Sequence, residues 1–168
     1  MNATGAGRPP PPTIRRARRD DLPTLGRLGA LLMRVHYEFD RRRFMAPGAN
    51  PEQGYARFLA TQLDDDEVVI LVAEREAEVI GYVYAGVEPL SWKELRERAG
   101  FIHDLVVADR ARRAGTARAL IDAAVDWLRG RGVPRVMLWT AEPNDAAQRL
   151  FAGAGFRWTM IEMTRELE

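Results

Sequence analysis

The stretch from Val106 to Ala117 constrains the fold of this chain more than any other. An apolar run over 101–107 reads as a strand, and a basic turn follows it. Helical spacing then begins at small residues, with Leu120, Ile121, Ala124, Val125 and Leu128 on one stripe, until Gly130 and Gly132 stop it. A strand feeding a helix through so short a turn belongs to an α/β layered architecture. The first N–H groups of such a helix lack partners within it, and the helix dipole draws anions to that end. Gly115 and Ala117 keep bulk away from those groups, while Arg112 and Arg113 add positive charge, so the turn is shaped for a diphosphate. It carries neither the G-x-x-x-x-G-K-[ST] loop of a nucleoside-triphosphate site nor the G-x-G-x-x-G of a dinucleotide fold. Alone, the string Arg112-x-x-Gly115-x-Ala117 describes an ordinary surface turn equally well.

The rest of the chain supplies the partners for that strand and helix. Residues 13–17 read as a short strand, and Asp20 or Asp21 caps a helix with Leu22, Leu25, Leu28, Leu32 and Val35 on its apolar side. The helical period is lost over 36–48, and Asn50-Pro51 opens a second helix to about Leu63. Strands are expected over 68–73 and 79–87 around a charged turn, then a short exposed helix over 91–98. After the central strand and helix come a strand over 133–140, a helix over 144–151 and a terminal strand or hairpin over 156–167. Residues 1–12, with four consecutive prolines, read as a flexible tail ahead of one domain over 13–168. The expected fold is a mixed, mostly antiparallel sheet flanked by about four helices.

Composition narrows the function. The chain has 168 residues, enough for one domain with a real core. It has no cysteine, which excludes disulfides, thiolate metal sites and a cysteine nucleophile, and its two histidines, His36 and His103, argue against a metal centre. Lys93 is the sole lysine among 25 basic residues, but 24 acidic residues leave a net charge of +1. Interspersed Asp20, Asp21 and Asp40 make the arginine clusters a solvated surface, so nucleic acid is not an expected partner. No apolar run is long enough for a membrane helix and the N-terminus lacks a signal-peptide core, so a soluble, cytoplasmic protein is expected.

Three separated motifs carry a resemblance to the GNAT N-acetyltransferases. Arg112-x-x-Gly115-x-Ala117 resembles the family's Q/R-x-x-G-x-G/A pyrophosphate motif. The stretch Asn144-x-x-Ala147-x-x-Leu150-Phe151, ending at Gly155-Phe156, resembles its N-x-x-A-x-x-L-Y-x-x-x-G-F segment. Ile102-His103-Asp104-Leu105-Val106-Val107 resembles its acidic strand, and Thr13 to Ala17 followed by Asp20-Asp21 resembles its opening. The resemblance covers 13–168 and implies a GNAT-like single-domain fold with a splay after the central strand. It implies acetyl-CoA as co-substrate, with the backbone of Arg112, Arg113, Ala114, Gly115, Thr116 and Ala117 around the pyrophosphate. Leu105, Val106 and Val107 would pair with the pantetheine arm and polarise the thioester carbonyl. Asn144 would contact the arm near the sulfur, and Phe151 would pack beside the coenzyme.

An amine acceptor must lose a proton before it attacks. In the resemblance, the strand position often held by a Glu base falls on His103, whose ordinary pKa of about 6.5 suits that task. Asp104 faces the other way by strand alternation, unless a bulge turns it inward to hold a cationic acceptor. The tyrosine often proposed to protonate the leaving thiolate falls on Phe151, which has no hydroxyl. Water or one of Tyr37, Tyr82 and Tyr84 would have to substitute. His36, Tyr37, Glu38 and Asp40 would line the acceptor cleft, with the stretch from Trp92 to Arg98 on its other rim. The expected activity is acetyl transfer from acetyl-CoA to a primary amine, a small molecule, by direct attack in a ternary complex. The alternatives are acetylation of a protein N-terminus or lysine, or a non-catalytic acetyl-CoA sensor. No metal is expected, and the exposed terminal strand pair is compatible with a homodimer.

Overall fold

The computed structural model describes residues 10–167. Most of the expected N-terminal tail, residues 1–9, lies outside them. The β-branched run after the second helix forms the middle of a five-stranded sheet. Its strands are β1 (Thr13–Arg16), β2 (Val68–Arg75), β3 (Glu78–Glu88), β4 (Ala99–Val107) and β5 (Val136–Leu138), side by side in that order. The first four are antiparallel, and β5 runs parallel to β4. The helices are α1 (Leu22–Phe39), α2 (Pro51–Gln62), α3 (Thr116–Gly130) and α4 (Asp145–Gly153).

Strand alternation divides the core into two layers. Leu71, Ala73, Val83, Ala85 and Ile102 face α3, against Leu120, Ala124 and Leu128. Ile70, Val72, Tyr82, Tyr84 and Val106 face the other way, against Leu25, Leu28 and Leu59 of α1 and α2. The expected mixed α/β fold is therefore present, and three local expectations are corrected. Residues 91–98 form no helix; they turn back on themselves through an isolated Ser91–Arg96 bridge. The strand expected over 133–140 is only three residues long. No strand or hairpin forms over 157–167, where Trp158, Met160, Ile161, Met163 and Leu167 lie exposed. Alternating apolar residues define a strand only when an edge receives them, and this segment has no backbone partner among the described residues. Its recorded tie is an ion pair between Glu162 and Arg43.

α1 runs one turn past the loss of its apolar period. His36 Nδ1 lies 2.9 Å from the Leu32 carbonyl and its ring packs against Phe39 and Phe44, so local contacts carry the helix to Phe39. Asp21 sits at the N-cap of α1 without capping it. Its carboxylate instead accepts from the Arg18 N–H and from Arg15, which also binds Glu74 and so ties β1 to β2.

Candidate active site

One irregularity in β4 builds the centre of the site. Tyr84 is paired with Asp104 but its neighbour Ala85 is paired with Ile102, so His103 is an extra residue with no partner on β3. A bulge of this kind resets the alternation of the strand. His103 and Asp104 consequently lie on the same side of the sheet, the side of α1 and α2, which corrects the opposite-face expectation. The His103 ring lies between Tyr84, 4.7 Å away between centroids, and Phe101, 5.2 Å away. Trp139, just beyond β5, meets Phe101 edge-on at 4.9 Å, and Phe58 of α2 meets Tyr84 at 5.9 Å. Five rings thus form a row across three strands with the imidazole in the middle.

Asp104 is held by two tyrosines. The Tyr55 hydroxyl donates to its Oδ2 at 2.7 Å and the Tyr82 hydroxyl at 2.9 Å, while Oδ1 accepts no hydrogen bond among the described residues. The residue is only 9% exposed. Burial pushes its pKa up from the usual carboxylate value, against the pull of the two hydroxyls. The same environment raises both phenols, chiefly through burial and the adjacent carboxylate. Tyr55 reaches Asp104 because α1 carries glycine where α2 crosses it. A Cβ on Gly29 would stand 2.0 Å from the Tyr55 ring, and one on Gly26 would stand 2.3 Å from the Glu52 carbonyl oxygen. The small residues of α1 are therefore part of the site.

His103 has the character of a base. Burial lowers its pKa below the ordinary histidine value, and the charges of Glu88 and Asp104 oppose that shift. The imidazole is consequently neutral at pH 7, with a lone pair to accept a proton. Its Nε2 lies 3.3 Å from Glu88 Oε1, and the side chain keeps 26% of its surface exposed.

On the other side of the sheet, the β4–β5 pair is short. Only Gly100, Phe101 and Ile102 are paired with β5, at Val136, Met137 and Leu138. The edge of β4 over 103–107, including Leu105, Val106 and Val107, is left without a strand partner. This is the expected splay. Thr140 lies just past the last pair, and its buried hydroxyl has no hydrogen-bond partner among the described residues. A free edge and an orphaned hydroxyl at one gap fit an extended arm bearing amides. The turn beyond fits a diphosphate. Arg113 and Gly115 both have positive φ, at 60° and 81°, and Gly115 occupies the N-cap of α3, so the first N–H groups of the helix stand open. The Arg112 side chain is tied to the Val107 carbonyl and to Asp109. The Thr116 hydroxyl is turned inward onto the Ala111 carbonyl. The groups this turn leaves open to an anion are thus mainly backbone N–H groups, with Ala114 and Ala117 adding little bulk beside them.

Asn144 is the N-cap of α4, its side-chain oxygen accepting from the Ala147 N–H, and Phe151 is buried against Phe156. Of the residues expected to line the acceptor cleft, His36 packs against the end of its own helix. Tyr37 lies under Arg41, Glu38 pairs with Arg41, and the Asp40 carboxylate accepts from the Arg42 and Arg43 N–H groups. All of these contacts are local. The 91–98 stretch forms a small apolar hollow of about 250 Å³ lined by Leu90, Trp92 and Leu95. Tyr82 donates to Asp104 and the Tyr84 hydroxyl, pushed up to about 12 by burial, donates to Gln62, so both hydroxyls are engaged.

Known proteins share the sequence pattern and the fold of this chain. The acetyltransferase (GNAT) family model matches residues 33–156. The chain belongs to the GNAT acetyltransferase family. It is an acyltransferase of the group that uses acetyl-CoA as co-substrate. A Bacillus subtilis relative, the uncharacterized N-acetyltransferase YhfO, is 31% identical over 145 residues, 85% of this chain and 88% of that protein. An aminoglycoside N(6')-acetyltransferase of Klebsiella aerogenes is 28% identical over 60% of this chain and 66% of its own length. In fold, the acetyltransferase is similar to the solved BH1408 protein of Bacillus halodurans, with a TM-score of 0.78 and 23% identity over 93% of this chain and 99% of that one. Among the described residues no helix is long and apolar enough to cross a membrane.

Sequence reasoning missed Tyr55, Glu88 and Thr140. Tyr55 and Glu88 act across 49 and 15 positions of chain, and no spacing rule joins such pairs. The motif Gly26-x-x-Gly29 on the apolar side of α1 was the available signal for a close helix contact.

Proposed function

We propose that this acetyltransferase moves an acetyl group from acetyl-CoA to a primary amine of a small molecule, by direct attack in a ternary complex. The observation that carries the reading is the β4 bulge, which sets a neutral imidazole and a clamped carboxylate side by side on the open side of the splay. Asp104 Oδ1 is the anchor for the acceptor's ammonium, and the ring row around it offers faces that attract cations. His103 takes one proton from the ammonium, which frees the lone pair for attack. The new N–C bond forms as the C–S bond breaks, sulfur leaves with the electron pair, and the amide nitrogen gives its second proton to that thiolate or to water. A coenzyme thiol of ordinary pKa leaves readily as the thiolate, so the missing hydroxyl at Phe151 is no barrier to turnover. Acetyl-CoA supplies the activated carbonyl. Of the N–H groups of 105–107, those on the free edge of β4 hold that carbonyl, and the open N–H groups of 113–117 hold the diphosphate. The kinship with an enzyme named for aminoglycosides supports a small amine over a protein acceptor. The free outer edge of β5 and the exposed 157–167 segment support a homodimer.

The test is calorimetry with acetyl-CoA, followed by a panel of amines read with a thiol reagent. The chain has no cysteine, so the reagent reports released coenzyme alone. Micromolar binding and amine-dependent thiol release are expected. Absence of binding at millimolar acetyl-CoA would sink the reading, and binding without release for any amine would leave a coenzyme sensor.

A further inference from the structure

The aromatic row fixes the plane of the His103 ring but not which nitrogen holds the proton. Stacking on Phe101 and a tilted contact with Tyr84 restrain the ring plane, whereas a half-turn about the ring axis keeps both contacts. A group in the plane of the ring has to decide the orientation. Tyr84, Gly86 and Glu88 follow one another at every second position of β3 and so share one face of the sheet. Gly86, in the middle, has no side chain, and a Cβ there would stand 3.7 Å from His103 Nε2. The imidazole lies over this gap and reaches the next residue of the row. Glu88 Oε1 is 3.3 Å from Nε2.

We propose that Glu88 is the positioning residue of His103, accepting the Nε2 proton and leaving Nδ1 as the nitrogen that takes the acceptor's proton. A neutral imidazole has one N–H and one lone pair, and a carboxylate can only accept. The charged groups that face the ring are Glu88 from β3 and Asp104 from β4, with the Tyr84 phenol neutral beneath it. Glu88 is the carboxylate within ion-pair distance of the ring among the described residues, while Asp104 is held by its two tyrosines, so Glu88 is the one placed to fix the tautomer. The same contact steadies the imidazolium formed after proton transfer. Glu88 therefore raises the basicity of a ring that burial makes less basic. This assignment rests on His103 being the base, and its test needs neither acetyl-CoA nor an acceptor.

Two histidines make the experiment simple. In a His36→Gln background, long-range proton–nitrogen correlation spectra of the imidazole report His103 alone. The expected spectrum above its pKa shows the proton on Nε2. Glu88→Gln keeps an accepting oxygen and should keep that tautomer while lowering the His103 pKa by roughly half a unit. Glu88→Ala should lower it similarly and mix the tautomers. Glu88 is part exposed, so both variants are expected to fold. A proton on Nδ1 in the parent, or an unchanged tautomer and pKa in Glu88→Ala, would overturn the assignment. If the spectra agree but no amine is acetylated, the positioning role stands and the catalytic reading of His103 fails.

Discussion

The proposed coenzyme side and the proposed acceptor side of the splay are built from different parts of the chemistry of the chain. The coenzyme side is a backbone site: a strand edge without a partner, a left-handed turn at Arg113 and Gly115, and the open start of α3. The acceptor side is a side-chain site, in which Tyr55, Tyr82, Asp104, His103 and Glu88 come from α2, β3 and β4. Backbone groups are the same for every residue, so the first site depends on conformation and on what is absent. The second depends on the identity of each side chain and on how two helices pack.

That contrast is broken most directly at Gly115. Gly115→Glu forces a charged side chain into a left-handed N-cap at the phosphate position, and acetyl-CoA affinity should fall more than about 100-fold by calorimetry. Arg113→Ala, by comparison, should cost only about 10-fold, because a solvated arginine adds a screened charge to a site the backbone makes. Equal losses in the two variants would show that charge, not backbone, holds the diphosphate.

On the acceptor side the expected effects follow single side chains. His103→Ala should lower the acetylation rate by about 100-fold or more while leaving acetyl-CoA affinity intact. In the parent enzyme, the lowered pKa of His103 places the acid limb of the pH–rate profile below the ordinary histidine value, so activity should still be full at pH 7. A limb centred above pH 7 would contradict a buried neutral base.

Gly29→Ala tests whether helix packing sets the acceptor site. The methyl overlaps the Tyr55 ring, and urea denaturation should show a loss of about 1–3 kcal/mol. Tyr55 must move and release Asp104, so catalysis should fall with stability while acetyl-CoA binding persists. A variant that lost both functions together would mean the two sides are one unit.

The smallest effect concerns Asp104. Its folded pKa is raised above the unfolded value, so the folded state binds the proton more tightly and stability falls as pH rises between the two values. Asp104→Asn keeps both tyrosine donors paired and removes this dependence. Its melting temperature should exceed that of the parent at pH 7 and converge with it near pH 4. A lower melting temperature at pH 7 would mean the two hydroxyls outweigh burial.

How much could be read from the sequence follows the same division. The turn and most of the order of the elements were legible because each is local: an apolar run, a glycine, a helical stripe; the splay was implied only by the family resemblance. His103 and Asp104 were legible as candidates but their shared face was not, since a bulge is a mismatch between two strands and neither strand shows it alone. The terminal strand failed for a related reason. Residues 157–167 have strand-like alternation, yet strand formation is a property of an edge and its partner, and the sequence describes only one of them. The end of α1 was missed because His36, Phe39 and Phe44 replace the apolar period with aromatic contacts.

The bulge also bears on how such a protein can change. Every other residue of β4 from Ala99 to Val107 is matched to one on β3, and its side chain is constrained by the layer it enters. His103 alone is exempt from the ladder. A substitution there alters the proton chemistry of the cleft while the sheet keeps its register and its cross-strand pairs. Even deleting the residue would keep every pair, with Ile102 and Asp104 as consecutive rungs against Ala85 and Tyr84, but would remove the imidazole. The position proposed for the base is therefore one that the strand ladder itself does not fix.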